Sequence, residues 1–213
     1  MTYEVSAGQI STGIILNGDS MHVYTGGIAD STTVIDWGEM YVYNGGTANS
    51  TTVIDWGQMY VSSGGTVNNT TINSGILELQ GTAINTILDG GGSWGEAGML
   101  VSKGGTAINT TIYNGGILLV EGGSKLTGTL TVYATGSGWL ELDDSGRDVT
   151  IDLDVSERTV SSPALINNLR AIPVFFPGEY TITVSADQTA GVYTLANGAD
   201  GFTKTLSDRK SVV

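Results

Sequence analysis

The chain has 213 residues, of which 40% are apolar and only 14% charged, with 32 glycines, 3 prolines and no cysteine. Its formal charge of −13 and its total of 8 Lys plus Arg leave no basic stripe to track phosphates, which argues against nucleic acid as a partner. The lack of cysteine excludes disulfide staples and thiolate chemistry, and no apolar run approaches the ~20 residues of a spanning helix, so this segment is not expected to insert in a membrane.

Length allows one or two domains. The opening stretch MTYEVSAGQI has neither a basic region nor an apolar core, so it does not read as a signal peptide. From Gly26 the chain then writes nearly the same nineteen residues twice: GGIADSTTVIDWGEMYVYN up to Asn44, and GGTANSTTVIDWGQMYVSS from Gly45 to Ser63. Such repetition builds extended architectures, in which one unit stacks on the next. Three rows of positions extend it to six copies. Ile15, Val34, Val53, Ile72, Ile87 and Ile112 form the first row. The apolar pairs Met21/Val23, Met40/Val42, Met59/Val61, Leu77/Leu79, Met99/Val101 and Leu118/Val120 form the second. Ile10, Ala29, Ala48, Val67, Ala83 and Ala107, after the Gly-Gly corners, form the third. The fifth copy is shortened and carries the insertion GGGSWGEAG, Gly90 to Gly98.

Alternation with period two, β-branched residues and bounding glycines predict strands, and no helical periodicity competes. Each copy reads as two short strands, with corners at Gly-Gly and at Asp-Trp-Gly or Asn-Gly, where glycine accepts positive φ. One unit cannot bury its apolar side chains alone, so the copies are predicted to stack as a parallel β-solenoid. The fold class is therefore all-β, a parallel β-solenoid (β-helix) of ~19-residue coils over residues 1–123. A β-sandwich or barrel also uses many short strands, but it has no reason to keep residue identity every nineteen positions.

Residues 124–154 read as further irregular coils, with Leu130/Val132 and Leu140/Leu142 as inward pairs. Residues 155–213 hold all three prolines, Pro163, Pro173 and Pro177, which interior strand ladders exclude. They are expected to form an irregular β-rich C-terminal cap or a partial second domain. The basic ending DRKSVV follows nothing in the strand pattern, and its back-translation resembles a sequencing-adapter sequence. Residues 207–213 thus read either as a non-native tail on a fragment or as an ordinary polar tail.

Candidate sites are few. His22, the only histidine, matches Tyr41 and Tyr60 by period and is expected at the surface, and no Gly-x-Ser-x-Gly elbow accompanies it. Asn17, Asp36, Asp55, Ser74, Asp89 and Asn114 form a corner ladder. Asp36 and Asp55, one coil apart, would splay into solvent, share a proton or bridge a cation. No metal or cofactor is expected, and no catalytic residue is named, because equivalent aspartates do not supply the distinct environments that glycosidase carboxylates need. Thr32-Thr33, Thr51-Thr52, Thr70-Thr71 and Thr110-Thr111 lack the regular Thr-x-Thr of a flat ice-binding face, and the sequons Asn49-Ser50-Thr51, Asn69-Thr70-Thr71 and Asn109-Thr110-Thr111 read as accidental. Aromatics are the candidate ligand-binding residues: Trp37 and Trp56 at a corner, Tyr41 and Tyr60 on an outward strand face, with Tyr24 and Tyr43 beside them. Exposed rings beside carboxylates suit sugar stacking. The alternative is that like rings stack on one another to hold adjacent coils together.

The stretch GGTANSTTVIDWGQMYVSSGGTVNNTTINSG resembles the passenger repeats of AIDA-type autotransporter adhesins, over about residues 8–123. The stretch RTVSSPALINNLRAIP and the later YTITVSADQTAGVYTLANGADGFT look like segments that follow such repeats in large bacterial surface proteins. The resemblance implies a non-catalytic structural or adhesive passenger segment, at the cell surface of a Gram-negative bacterium or secreted from it. It also implies host or bacterial surface glycans, or self-association, as partners, and sugar on repeat Ser and Thr. The Asp-Trp-Gly corner departs from the family's usual Asn-Ser-Gly-Gly. The alternatives are a carbohydrate-active β-helix enzyme and a phage receptor-binding protein of the same shape.

Overall fold

The structure, a computed structural model, describes residues 1–90, 97–113, 115–132, 139–142, 150–154, 161 and 179–183. Every strand pairing in it is parallel, and no helix occurs among the described residues. The chain is a β-solenoid. One sheet stacks the strands Thr2–Val5, Ser20–Val23, Glu39–Val42, Gln58–Val61, Ile76–Leu79, Ala97–Val101, Gly116–Val120 and Trp139–Leu142 in sequence order; it is called the first face below.

The first four copies contribute three strands each rather than the expected two, while in the next two the second and third run on as the single strands Thr82–Leu88 and Thr106–Ile112. The stretch from Thr47 to Ile54 breaks into Thr47–Asn49 and Thr52–Ile54, because Ser50 between them takes the left-handed conformation with φ 52°. Ser31, Asn69, Asn85 and Asn109 do the same in neighbouring coils, at φ 54–56°. Short polar side chains enter that region at modest cost, and one such residue is enough to turn the strand onto a third face. The residue after the bend then points inward: Thr32, Thr51, Thr70, Thr86 and Thr110 are all buried.

The core is a set of ladders along the axis. The apolar pairs of the first face are buried in all six copies. Ala29, Ala48, Val67, Ala83 and Ala107 line the second face. On the third face the buried row is Leu16, Val34, Val53, Ile72, Leu88 and Ile112. This corrects the sequence alignment in two copies. Ile15 and Ile87 are 62% and 38% exposed, and Ile10 is 68% exposed while Ser11 pairs with Ala29. The first coil is one residue shorter than the next two, the row partner of Ile72 lies one residue beyond Ile87 at Leu88, and a slip of one residue sends a strand side chain to the opposite face.

Glycine has two duties at the corners. Gly45 holds φ +72°, whereas a Cβ on Gly46 would lie 2.5 Å from the Val23 carbonyl oxygen of the coil below. At the Asp-Trp-Gly corner the expected role is reversed. There Asp36 and Trp37 carry the positive φ, 50° and 65°, and Gly38 is needed because its Cβ would stand 2.0 Å from the Leu16 carbonyl oxygen.

Strand stacking continues past residue 123. Lys125–Val132 pairs with Thr106–Ile112, Thr150–Asp154 with Lys125–Val132, and Glu179–Thr183 with Thr150–Asp154. Leu130 is buried, and the backbone register sets Leu140 and Leu142 opposite Leu118 and Val120. The insertion at 91–96, Asn114 and most of 155–213, with the prolines and the tail, lie outside the described residues.

Candidate ligand-binding face

Strand alternation on the first face turns Met40 and Val42 inward and Glu39 and Tyr41 outward. The same holds for Gln58 and Tyr60 one coil later. Parallel register then lines up Glu4, His22, Tyr41, Tyr60, Glu78 and Leu100 as one outward row. Within it His22, Tyr41 and Tyr60 form a ring column: the His22–Tyr41 centroids are 4.9 Å apart and within 8° of parallel, and the Tyr41–Tyr60 centroids 5.0 Å and 12°. Tyr24 and Tyr43 form a second column at 5.2 Å, tied to the first by a 2.9 Å hydrogen bond between His22 Nδ1 and the Tyr43 hydroxyl.

His22 takes the row position expected of it, but half-buried between rings. The Tyr41 hydroxyl donates to Glu39 Oε2 at 3.0 Å, and that of Tyr60 donates to Gln58. Burial, that hydrogen bond and the Glu39 charge push the Tyr41 phenol up to about 12. Tyr60 is also raised, by burial first and then by Glu78 and Glu39.

The tryptophans sit at the corner leading into the same face, two positions before Glu39 and Gln58. Ile35-Asp36-Trp37-Gly38 is a tight turn closed by the Gly38 amide donating to the Ile35 carbonyl at 2.9 Å. With positive φ at both central residues it is a type I′ turn, and Ile54 to Gly57 repeats it. Trp37 and Trp56 stack at 5.7 Å, within 8° of parallel, and are 64% and 49% exposed. The corners on either side are shorter. Three residues separate Ile35 from Glu39 and Ile54 from Gln58, but two separate Asn17 from Ser20 and Asn73 from Ile76. The indole pair therefore projects past its neighbouring coils as a two-ring knob.

The four sequence-predicted ring residues thus share one side of two adjacent coils, separated by Glu39 and Gln58. They are not equivalent. Tyr41 has a ring against each of its faces, while among the described residues Tyr60 has a ring partner on one face only. Beside Tyr60 lies a groove of about 200 Å³ lined by Tyr41, Val61, Ser62, Glu78, Gln80 and Ser102 as well. Sequence reasoning missed the polar residues of this groove. Their signal was present, since Glu78 stands where two preceding copies have tyrosine.

Asp36 and Asp55 lie one coil apart, with the Asp36 amide donating to the Asp55 carbonyl at 2.9 Å, and both residues are exposed. No group of three or more His, Cys, Asp or Glu side chains that could hold a metal occurs among the described residues. The first threonine of each Thr-Thr pair is buried, so Thr51 of the sequon Asn49-Ser50-Thr51 does not face solvent. A second ladder runs along the Ser/Asn bend: Asn85 Nδ2 donates to Asn69 Oδ1 and Asn109 Nδ2 to Asn85 Oδ1, each at 3.0 Å.

Neither a family model nor a curated protein matches the chain. Among solved structures it is similar to the crystal structure of the TibC-catalysed hyper-glycosylated TibA fragment, at 22% identity over 92% of each chain, with a TM-score of 0.32. A likeness that loose carries no argument about what this chain does.

Proposed function

We propose that the chain is a non-catalytic rod segment of an adhesin-like bacterial protein, exposed at the cell surface or secreted, and that it presents an aromatic side to glycans. The observation that carries this reading is the sameness of the outward positions: tryptophan over tryptophan, tyrosine over tyrosine, asparagine over asparagine. Catalysis by paired carboxylates needs two groups in unlike environments, whereas Asp36 and Asp55 occupy equivalent exposed corners. A ladder surface instead suits weak contacts repeated along a rod, which sum to useful attachment through multivalency. The AIDA-type repeat pattern of residues 8–123 points the same way.

The experiment is retention of beads coated with the segment on cultured host cells, before and after enzymatic removal of surface glycans. Retention that falls on removal supports the reading. Retention that is absent, or indifferent to glycans, ends it.

A further inference from the structure

A column of parallel rings offers a ligand its ends, because every interior face is already covered. On the first face the covered member is Tyr41, with His22 at 4.9 Å and Tyr60 at 5.0 Å. Among the described residues the column stops at Tyr60. In the next coil the register position belongs to Glu78. The groove at this break holds one aromatic face together with a carboxylate, an amide and the hydroxyls of Ser62 and Ser102.

We infer that this break is a single-ring subsite for a neutral pyranose, stacked on the free face of Tyr60 with its hydroxyls hydrogen-bonded to Glu78 and Gln80. The inference rests on the glycan reading above and narrows it in place and in charge. An apolar C–H face against a ring, with polar groups at its edge, is the arrangement sugars require. At about 200 Å³ the groove is smaller than the ~300–1,000 Å³ of ordinary small-molecule pockets, which suits one ring rather than a long chain. The charge pattern selects the class. Glu4, Glu39 and Glu78 stand on this face, and the five strands from Thr2–Val5 to Ile76–Leu79 carry no Lys or Arg. Lys103 follows Ser102, but its chain carbons lie towards Gly123 of a later coil. Among the described residues, acidic sugars therefore meet carboxylates and no guanidinium.

Saturation-transfer NMR on the whole chain, with glucose, galactose, mannose and N-acetylglucosamine as neutral probes and N-acetylneuraminic acid as the acidic one, tests this. At least one neutral sugar should bind, and the acidic one should not. Glu78→Tyr is the decisive variant, because it covers the Tyr60 ring and leaves the new end of the column, beside Leu100, without the carboxylate: binding should disappear while the melting temperature holds or rises. Tyr60→Ala should weaken binding by about tenfold, and Ile15→Ala, at an exposed position of the third face, should leave it unchanged. Neutral-sugar binding that survives Glu78→Tyr overturns the subsite while leaving the glycan reading in place. Equal binding of the acidic probe overturns the charge argument. Binding of no sugar by the intact chain, with cell retention indifferent to glycans, removes both readings.

Discussion

Leu16, and not Ile15, stands beside Val34 in the buried row of the third face. Eighteen residues separate them, where the next coils use nineteen. The two neighbours in the chain therefore have opposite fates. Leu16→Ala should cost about 2–5 kcal/mol, as for other buried leucines, and Ile15→Ala should stay within about 0.5 kcal/mol. Val53→Asp, an uncompensated charge among stacked valines, should exceed ~3 kcal/mol. Urea melts of the three variants check the register, and equal losses at 15 and 16 would contradict it.

A row of threonine hydroxyls runs inside the rod. Oγ1 of Thr32, Thr51, Thr70 and Thr86 is buried without a hydrogen-bond partner. An unmade buried hydrogen bond costs roughly 1–3 kcal/mol, whereas valine fills nearly the same space with no such group. Thr51→Val and Thr70→Val should each raise stability, by up to about 1 kcal/mol after rotamer adjustment. Thermal melts decide it, and a clear loss would mean that these hydroxyls are bonded in solution.

Much of this fold was legible because repetition exposes it. Met40/Val42 and Met59/Val61 keep both identity and spacing, and they are buried as the alternation required. What stayed hidden depends on single-residue changes of coil length, which periodicity averages away. The bend at Ser50 was hidden for another reason. Serine in a left-handed conformation has no signature inside a Thr- and Val-rich run, and only the buried Thr51 after it betrays the turn. The ring residues could be picked out, but their unequal worth could not. That Tyr60 ends a column follows from what stands one coil later, at Glu78.

The tyrosine column makes stability sensitive to alkali. A phenol raised in the folded state holds its proton more tightly there than in the unfolded chain. The stability it contributes is therefore fully present below the unfolded value of ~10, and it is lost as pH climbs through the folded value. For Tyr41 that value is about 12, and Tyr60 and Tyr24 are shifted in the same direction. Unfolding midpoints should hold up to about pH 10 and fall between there and about 12. In the folded chain, phenolate absorbance should appear later than in the urea-unfolded chain. Tyr41→Phe should flatten part of the decline, and an unchanged profile would count against the column.

Each coil pairs only with its neighbours, so a whole coil should be dispensable. Removing Gly45 to Ser63 brings Glu39–Val42 beside Ile76–Leu79, strands that already share Gln58–Val61 as a common partner. The ladders rejoin with apolar partners, Met40 with Leu77, Val42 with Leu79 and Val34 with Ile72. In a stack, stability falls by one unit and its interface and does not collapse. Circular dichroism should keep its strand signal, and the melt should stay cooperative at a lower temperature. Loss of cooperative unfolding would show that the coils depend on one another over longer range.

The last prediction concerns the indole knob. Trp37 and Trp56 hold φ at 65° and 69°, a region that costs a bulky side chain about 1–2 kcal/mol. Stacking between two exposed rings returns only about 0.5–1.5 kcal/mol. The fold therefore gains little from having tryptophan here, and glycine would release the strain. Changing both residues to Gly should leave the melting temperature within a few degrees of the parent, since about 2–4 kcal/mol of strain released at two positions is offset by the lost stack and by glycine's extra folding entropy of roughly 0.5–1 kcal/mol at each. If the knob binds sugar alongside the Tyr60 groove, the same double change should weaken retention on glycan-bearing cells. A large drop in stability on removing both indoles would instead identify the pair as a strut between coils and leave Tyr60 as the ring that meets the ligand.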